Sequence, residues 1–221
     1  MPLFPLDHAV LLPQQVLQLN IFEPRYVQMV QHALDGSGQF AMAVFAGKSW
    51  KQTYHGRPPL RPAVCVGQIA RHQKTQDNRF ELLLQGVCRA RIVHEMEPSS
   101  DRLYRTALLT PIGVDEEPET KLYGVRDRLR ELLAEGPLSE LAQAEPLLRH
   151  LRNEDIPTSV ILELVSFAVP TGQELRYRLL AEADVGERAD MIEHELHDLS
   201  RLIERAKAQR PTPWPKGVSW N

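Results

Sequence analysis

The sequence predicts an α+β protein, in which a small β-barrel is followed by an α-helical bundle that ends in one long helix. Three observations predict this class. Short apolar or alternating segments, separated by turn residues, occupy the first half of the 221 residues. Apolar residues recur at helical spacing through the second half. The acidic stretch 115–119, which contains a proline, separates the two patterns.

The chain opens with strand patterns that change to a helix pattern within a few residues. Pro2–Leu6 is wholly apolar, and Val16–Asn20 alternates apolar and polar residues as a half-buried strand does. Pro24 suits the first turn of a helix, because that position does not need its N–H. The helix predicted after it ends near Gly36 and has apolar residues at helical spacing: Tyr26, Met29, Val30, Ala33 and Leu34.

Further short strands are predicted up to about residue 110. They are Phe40–Phe45, Val64–Ala70, Phe80–Val87, Arg89–Val93 and Tyr104–Leu109. A loop with three prolines and a polar turn region at Arg71–Arg79 lie between them. Several short strands separated by turn signals favour a closed or nearly closed small barrel.

The second half has apolar faces at helical spacing. The predicted faces are Leu122, Val125, Leu129 and Leu132; Leu141, Ala144, Leu148 and Leu151; Val160, Ile161, Leu164 and Val165; and Leu175, Leu179 and Leu180. Thr171 begins a capping-box pattern that ends at Glu174, and Asp184 has a comparable spacing to Glu187.

The last predicted helix has the longest apolar seam of the chain. The seam consists of Val185, Ala189, Ile192, Leu196, Leu199, Ile203 and Ala206, over a helix of roughly 20–24 residues. We expect it to pack on the other helices, and a coiled-coil homodimer is the alternative.

These patterns divide the chain into three parts. Residues 1–115 are predicted to form the β-rich subdomain, 120–209 the helical subdomain and 210–221 an extended tail. The tail has three prolines together with Trp214 and Trp220. Because two tryptophans present a large apolar surface, we expect the tail to dock on its own domain or on a partner.

Composition limits the classes of function. With 43% apolar residues, 25% charged residues and a net charge of −3, the chain is typical of a soluble globular protein. The lack of a basic excess argues against a nucleic-acid partner. The sequence has neither a secretory signal pattern nor a membrane-spanning run, which indicates a cytoplasmic protein without a membrane partner. Cys65 and Cys88 are expected to be free thiols, buried on strands.

Motifs for catalysis are incomplete. Gly47-Lys48-Ser49 resembles the end of a phosphate-binding loop, but the required first glycine is replaced by Met42. His194 and His197 are three residues apart, whereas a zinc-protease helix needs four. Ser166 lies within an apolar helix pattern and is expected to be packed. We therefore predict no catalytic, cofactor-binding or metal-binding residue, and no cofactor.

Two alternatives to a binding function stay open at this point. One is a hydrolase whose site is assembled from residues distant in sequence. The other is an RNA-binding protein that uses a basic loop and strand, formed by Arg71, Lys74, Arg79, Arg89 and Arg91.

The opening, from Pro2–Leu6 to Ile21–Tyr26, resembles the amino-terminal domain of the Lon protease family in a free-standing form. Gly67–Ile69 and Leu84–Arg89 resemble the later strands of that family more weakly. The resemblance implies a PUA-like barrel followed by a helical bundle. It also implies a role in recognising protein substrates. In full-length Lon proteases this domain precedes an ATPase and a serine–lysine peptidase, and neither fits in the residues present.

The sequence departs from that family at one turn. The family usually has a proline–glycine turn after its second strand and a further proline before the Ile-Phe-Glu segment. Gln14 and Gln18 occupy those places here. A positive φ at Gln14 would be strained, since glycine adopts that conformation far more readily.

We therefore expect a non-enzymatic module that binds polypeptide segments or unfolded protein, with a protease or a chaperone as a further partner. Arg25, Trp214 and Trp220 are the predicted partner-binding residues. Affinity is expected from strand addition at an open barrel edge or from aromatic contacts in a groove.

Overall fold

The computed structural model describes residues 1–7, 9–47, 49–54, 56–114, 118–169 and 172–209. Within them, six β-strands and seven α-helices confirm the predicted α+β class. The strands are β1 (Leu3–Leu6), β2 (Val16–Ile21), β3 (Gln39–Val44), β4 (Ala63–Lys74), β5 (Phe80–Glu95) and β6 (Ala107–Pro111). The helices are α1 (Pro24–Leu34), α2 (Pro118–Lys121), α3 (Val125–Ala134), α4 (Ala144–Arg152), α5 (Thr158–Ala168), α6 (Gln173–Ala181) and α7 (Val185–Ala208).

The six strands form one sheet that closes into a small barrel, as predicted. The order is β1-β3-β4-β5-β2, and β6 pairs with the second half of β5. β1 and β3 are parallel, whereas the other strand pairs are antiparallel. The ring closes where β6 begins, because Leu3 N donates to Arg105 O at 2.8 Å and Ala107 N donates to Met1 O at 3.0 Å.

The predicted strands differ most from the structure in β4 and β5, and the strand predicted from Tyr104 begins only at Ala107. β5 is one strand of 16 residues, although the sequence suggested two pieces that meet at Gly86. β4 continues to Lys74, so the first part of the predicted turn at Arg71–Arg79 is strand. In both places cross-strand pairing determines the structure, since β4 pairs with β5 from Ala63 to Lys74.

Helix termini confirm one predicted cap. Asp184 caps α7, and its carboxylate accepts hydrogen bonds from the N–H groups of Gly186 at 2.8 Å and Glu187 at 3.2 Å. Thr171, the first residue of the other predicted capping box, lies outside the described residues. Helix α6 begins at Gln173 with Gly172 as its N-cap, and Glu174 pairs with Arg61 at 2.7 Å.

The apolar seam of α7 packs inside the molecule over its first half. Val185, Ala189, Ile192 and Leu196 are buried, and Leu199 and Ile203 are partly buried. These residues belong to a hydrophobic core that also contains residues of the barrel, such as Phe40 and Leu84. The helices therefore share one core with the sheet. In α3 the predicted Val125 and Leu129 are buried, but the third buried residue is Leu133, and the predicted Leu132 is only partly buried.

Both cysteines are free thiols on strands, as expected. Cys65 lies in the main core, and burial raises its pKa to about 12, so its thiol is unreactive at neutral pH. Cys88 was expected to be buried but is only partly so, and it packs against a second, smaller apolar cluster. Among the described helices, none combines the length and the apolarity that crossing a bilayer requires.

Gln14 has φ 66°, the strained conformation anticipated for this turn, and its side chain is exposed. We expect Gln14→Gly to raise the free energy of unfolding by roughly 0.5–1 kcal/mol, because relief of left-handed strain exceeds the entropy cost of glycine. Chemical denaturation measures the change. Gln15→Gly is the matched control and should destabilise, since the Gln15 amide oxygen accepts from Leu12 N at 3.1 Å. A loss of stability in Gln14→Gly would contradict the assigned strain.

Candidate functional site

An open cleft of about 520 Å³ lies between the first turn of α1 and the segment that leads into β6. This volume is within the range typical of ligand sites. Its lining residues are Pro5, Glu23, Pro24, Arg25, Tyr26, Gly56, Arg57, Met96, Glu97, Pro98, Ser99, Arg102, Leu103, Tyr104, Arg105 and Thr106. One wall is therefore the Glu-Pro-Arg-Tyr segment on which the family resemblance rests.

The first turn of α1 is held by an ion pair and by aromatic contacts. Arg25 Nη2 lies 2.9 Å from Glu23 Oε2, and its guanidinium stacks over the ring of Tyr54 at 4.4 Å. The Tyr54 hydroxyl donates to Glu23 Oε1 at 2.5 Å. Trp50 in turn lies against Tyr54, with the ring centroids 5.7 Å apart. The structure thus places Arg25 at the cleft, where Glu23 and Tyr54 hold it in position.

Tyr26 contributes a buried polar atom to this wall. The residue is 4% exposed, and its ring packs edge-on against Phe4 with 4.7 Å between centroids. Within the described part of the chain its hydroxyl has no hydrogen-bond partner. Burial raises the pKa of this phenol above its usual range, so the hydroxyl is a neutral donor. A buried donor without an acceptor costs about 1–3 kcal/mol, and this hydroxyl lies beneath the surface of the cleft, out of contact with solvent.

The opposite wall combines fixed arginines with exposed apolar side chains. Arg105 forms a two-pronged pair with Glu95, Nη2 lying 2.6 Å from Oε1, and also donates to Pro58 O at 2.7 Å. Met96 and Leu103 are 49% and 62% exposed. Sequence reasoning did not select these two residues, because they lie in irregular chain where apolar residues have no periodicity.

A buried cluster of charges joins the barrel to the helices away from the cleft. Arg89 on β5 donates to both oxygens of Glu163 on α5 at 2.7 and 2.8 Å, and to Leu179 O at 3.0 Å. Arg188 on α7 lies 3.6 Å from the same carboxylate. Arg89 was expected to project with Arg91 as a basic strand face, and that expectation is wrong because the helices cover it.

Three other candidates that the structure describes lie apart from the cleft. His194 and His197 are on the exposed face of α7, and Ser166 donates to Leu162 O at 2.8 Å inside α5. No group of three metal-ligating side chains occurs among the residues that the structure describes. Lys48 and both tail tryptophans, Trp214 and Trp220, lie outside the described residues.

A small closed barrel, a helical bundle and an open cleft with apolar side chains at its rim define the class of a binding module. The chain belongs to the family described as the ATP-dependent protease La (LON) substrate-binding domain, whose model matches residues 1–198. The family is one of substrate recognition, and the matched region is this domain alone.

Two curated relatives are both named Lon protease. The protein of Desulfosudis oleivorans is 22% identical over 203 residues, which cover 92% of this chain and 24% of the relative. That of Desulfovibrio desulfuricans is 30% identical over 141 residues, covering 63% of this chain and 16% of the relative. The chain thus spans a quarter or less of the length of these relatives.

Solved structures show the same fold. The crystal structure of a Lon N-terminal domain protein from Xanthomonas campestris matches with a TM-score of 0.58 at 19% identity, covering 96% of this chain and 98% of that one. The N-terminal domain of a Mycobacterium avium complex Lon protease matches with a TM-score of 0.64 at 14% identity, covering 89% and 97%. The α+β barrel with a helical bundle is therefore a fold shared with Lon N-terminal domains.

Proposed function

We propose that this module binds polypeptide segments exposed in unfolded or incompletely folded proteins, and that the cleft beside α1 is the binding site. The observation that carries the proposal is the cleft itself, with Met96 and Leu103 exposed at its rim. Exposed apolar side chains grouped around a concavity mark sites of protein contact. Arg25 belongs to the wall of the same cleft.

We infer further that the module acts by recognition alone. The family it belongs to is named for substrate binding. The hydroxyl of Ser166 donates a hydrogen bond to the backbone carbonyl of Leu162 in its own helix, so it is not poised as a nucleophile. A protease or a chaperone is the partner that would receive the bound segment, since both curated relatives are Lon proteases. The free thiols of Cys65 and Cys88 suit a cytoplasmic location.

Leu103→Ser tests the cleft. The full chain is titrated with a reduced, alkylated and permanently unfolded protein that carries a fluorophore, and the dissociation constant is read from anisotropy. We expect Leu103→Ser to weaken binding by about five- to tenfold, because the apolar area that the leucine buries against the ligand is lost.

Leu202→Ser is the matched control, since Leu202 has the same 62% exposure but lies on α7. It should bind as the parent chain does. Equal weakening in both variants, or none in Leu103→Ser, would rule out the cleft as the site. Failure of the parent chain to bind any unfolded protein would rule out the function.

A further inference from the structure

The cleft is lined by positively charged side chains, and some of their hydrogen-bond donors have no acceptor among the described residues. Four arginines line it, namely Arg25, Arg57, Arg102 and Arg105. Arg25 is paired with Glu23, whereas Arg57 and Arg105 share Glu95. Arg102 differs, because the carboxylate nearest to it is that of Asp101, 3.8 Å from its Nε and beyond hydrogen-bond distance.

Arg102 is available to a ligand. Its side chain is 42% exposed, and its guanidinium donates no hydrogen bond within the described part of the chain. Asp101, the nearest carboxylate, already accepts from the hydroxyl of Ser99. Burial lowers the pKa of the Met1 ammonium group, and the positive charge of the nearby Arg102 lowers it further. Arg102 therefore has a cationic neighbour in the ammonium group of Met1 and an anionic one in Asp101.

One further donor lies at the same cleft. The N-terminus of α1 has no side-chain cap, because the carboxylate of its N-cap residue, Glu23, is engaged by Tyr54 and Arg25 instead. Pro24 has no N–H, and the N–H groups of Tyr26 and Val27 already donate to Glu23 O, so within the described residues the free donor of this turn is the N–H of Arg25. A free N–H at a helix N-terminus favours an anionic acceptor. The Arg102 guanidinium and this N–H thus lack the same kind of partner.

We propose that the cleft selects segments in which an aspartate or glutamate side chain adjoins a large apolar residue. The carboxylate binds between Arg102 and the first turn of α1, and the apolar side chain contacts Met96 and Leu103. The proposal deepens the function proposed above and rests on it. Charge-assisted hydrogen bonds from arginine to a carboxylate are stronger than neutral ones, so they distinguish acidic from neutral segments.

Three acidic side chains near this position oppose a bound carboxylate. Glu23 and Asp101 are each engaged by other groups of the protein. Glu97 lines the cleft, but its side chain is 90% exposed and its one ion pair, with Arg57, is 4.0 Å long. It therefore extends into solvent, where screening reduces its repulsion. Glu97→Gln should strengthen binding of an acidic segment about twofold and leave a neutral one unchanged.

The test compares two short peptides that differ only in whether one side chain is a carboxylate or an amide. Both peptides have acetylated and amidated ends and a central leucine–phenylalanine pair. The residue beside that pair is aspartate in one peptide and asparagine in the other. Binding to the full chain is measured by fluorescence anisotropy. We expect the aspartate peptide to bind about fivefold more tightly, and the ratio to fall to about one in Arg102→Gln.

Two controls complete the design. Arg79→Gln, on the distant β4–β5 turn and 51% exposed, should leave the ratio unchanged. Tyr26→Phe should also leave the ratio unchanged while making the free protein more stable, since the hydroxyl that it removes is buried out of reach of a ligand and has no partner within the described residues.

The outcomes separate the two proposals. Equal binding of both peptides, or a ratio that persists in Arg102→Gln, would overturn the selection of a carboxylate and leave polypeptide binding intact. An asparagine peptide with a free carboxyl terminus that binds as tightly as the amidated aspartate peptide would also overturn it, in favour of a terminal carboxylate. If neither peptide nor any unfolded protein binds, the proposed function itself fails.

Discussion

Glu163→Gln is expected to lower the free energy of unfolding by about 3–5 kcal/mol. The carboxylate of Glu163 lies between two buried guanidinium groups, those of Arg89 and Arg188. A neutral amide in its place would leave both positive charges buried without a counter-charge, and this loss exceeds the cost of the missing hydrogen bonds alone. Denaturant unfolding of the full chain measures the effect.

Glu174→Gln is a matched control for this variant. Glu174 also pairs with an arginine through two hydrogen bonds, to Arg61 at 2.7 and 2.9 Å, but its side chain is mostly exposed. Its replacement should cost less than about 1 kcal/mol. Similar losses in the two variants would show that burial does not set the strength of the Arg89–Glu163–Arg188 cluster.

Gly86→Ala should destabilise the chain by about 3 kcal/mol. A Cβ atom at Gly86 would lie 2.1 Å from Leu12 O and 2.9 Å from Leu12 C, and these backbone atoms cannot rotate away. Displacing the turn would also strain two hydrogen bonds, from Gln14 N to Gly86 O at 2.9 Å and from Gly86 N to Gln15 O at 2.8 Å.

Gly36→Ala separates this clash from the general effect of adding a methyl group. At Gly36 the nearest atom to an added Cβ is His32 O at 3.5 Å, an ordinary contact. We expect a change within about 1 kcal/mol for this control, measured by the same denaturation. A well-tolerated Gly86→Ala would mean that the turn between Leu12 and Gln15 approaches β5 less closely than described.

The elements that local sequence determines were predicted well. The helix α1 begins at Pro24, and the seam of α7 follows the predicted residues, because caps and helical periodicity are properties of neighbouring positions. The length of β5 was not predicted, since pairing with β4 carries the strand through Gly86. Strand pairing joins residues distant in sequence, and local propensity does not report it.

The residues of the cleft were anticipated only in part. Arg25 was singled out and lines the cleft, and its role in partner binding stays a prediction. Met96, Leu103 and Arg102 were not singled out, because the segment before β6 has no repeating pattern. The buried charge cluster left one signal in the sequence. Glu163 is an isolated carboxylate within the otherwise apolar stretch Val160–Val165, and such a residue calls for a buried cation as its partner.

The central claim is that the cleft beside α1 holds polypeptides and breaks no bond in them. Site-specific photo-crosslinking tests it most directly, with a photoreactive amino acid at Leu103 in one full-length variant and at the equally exposed Leu202 in another. The account predicts that an unfolded polypeptide crosslinks at position 103 far more than at 202, and that the uncrosslinked polypeptide keeps its mass. Equal crosslinking at both positions, or a polypeptide recovered in fragments, would contradict it.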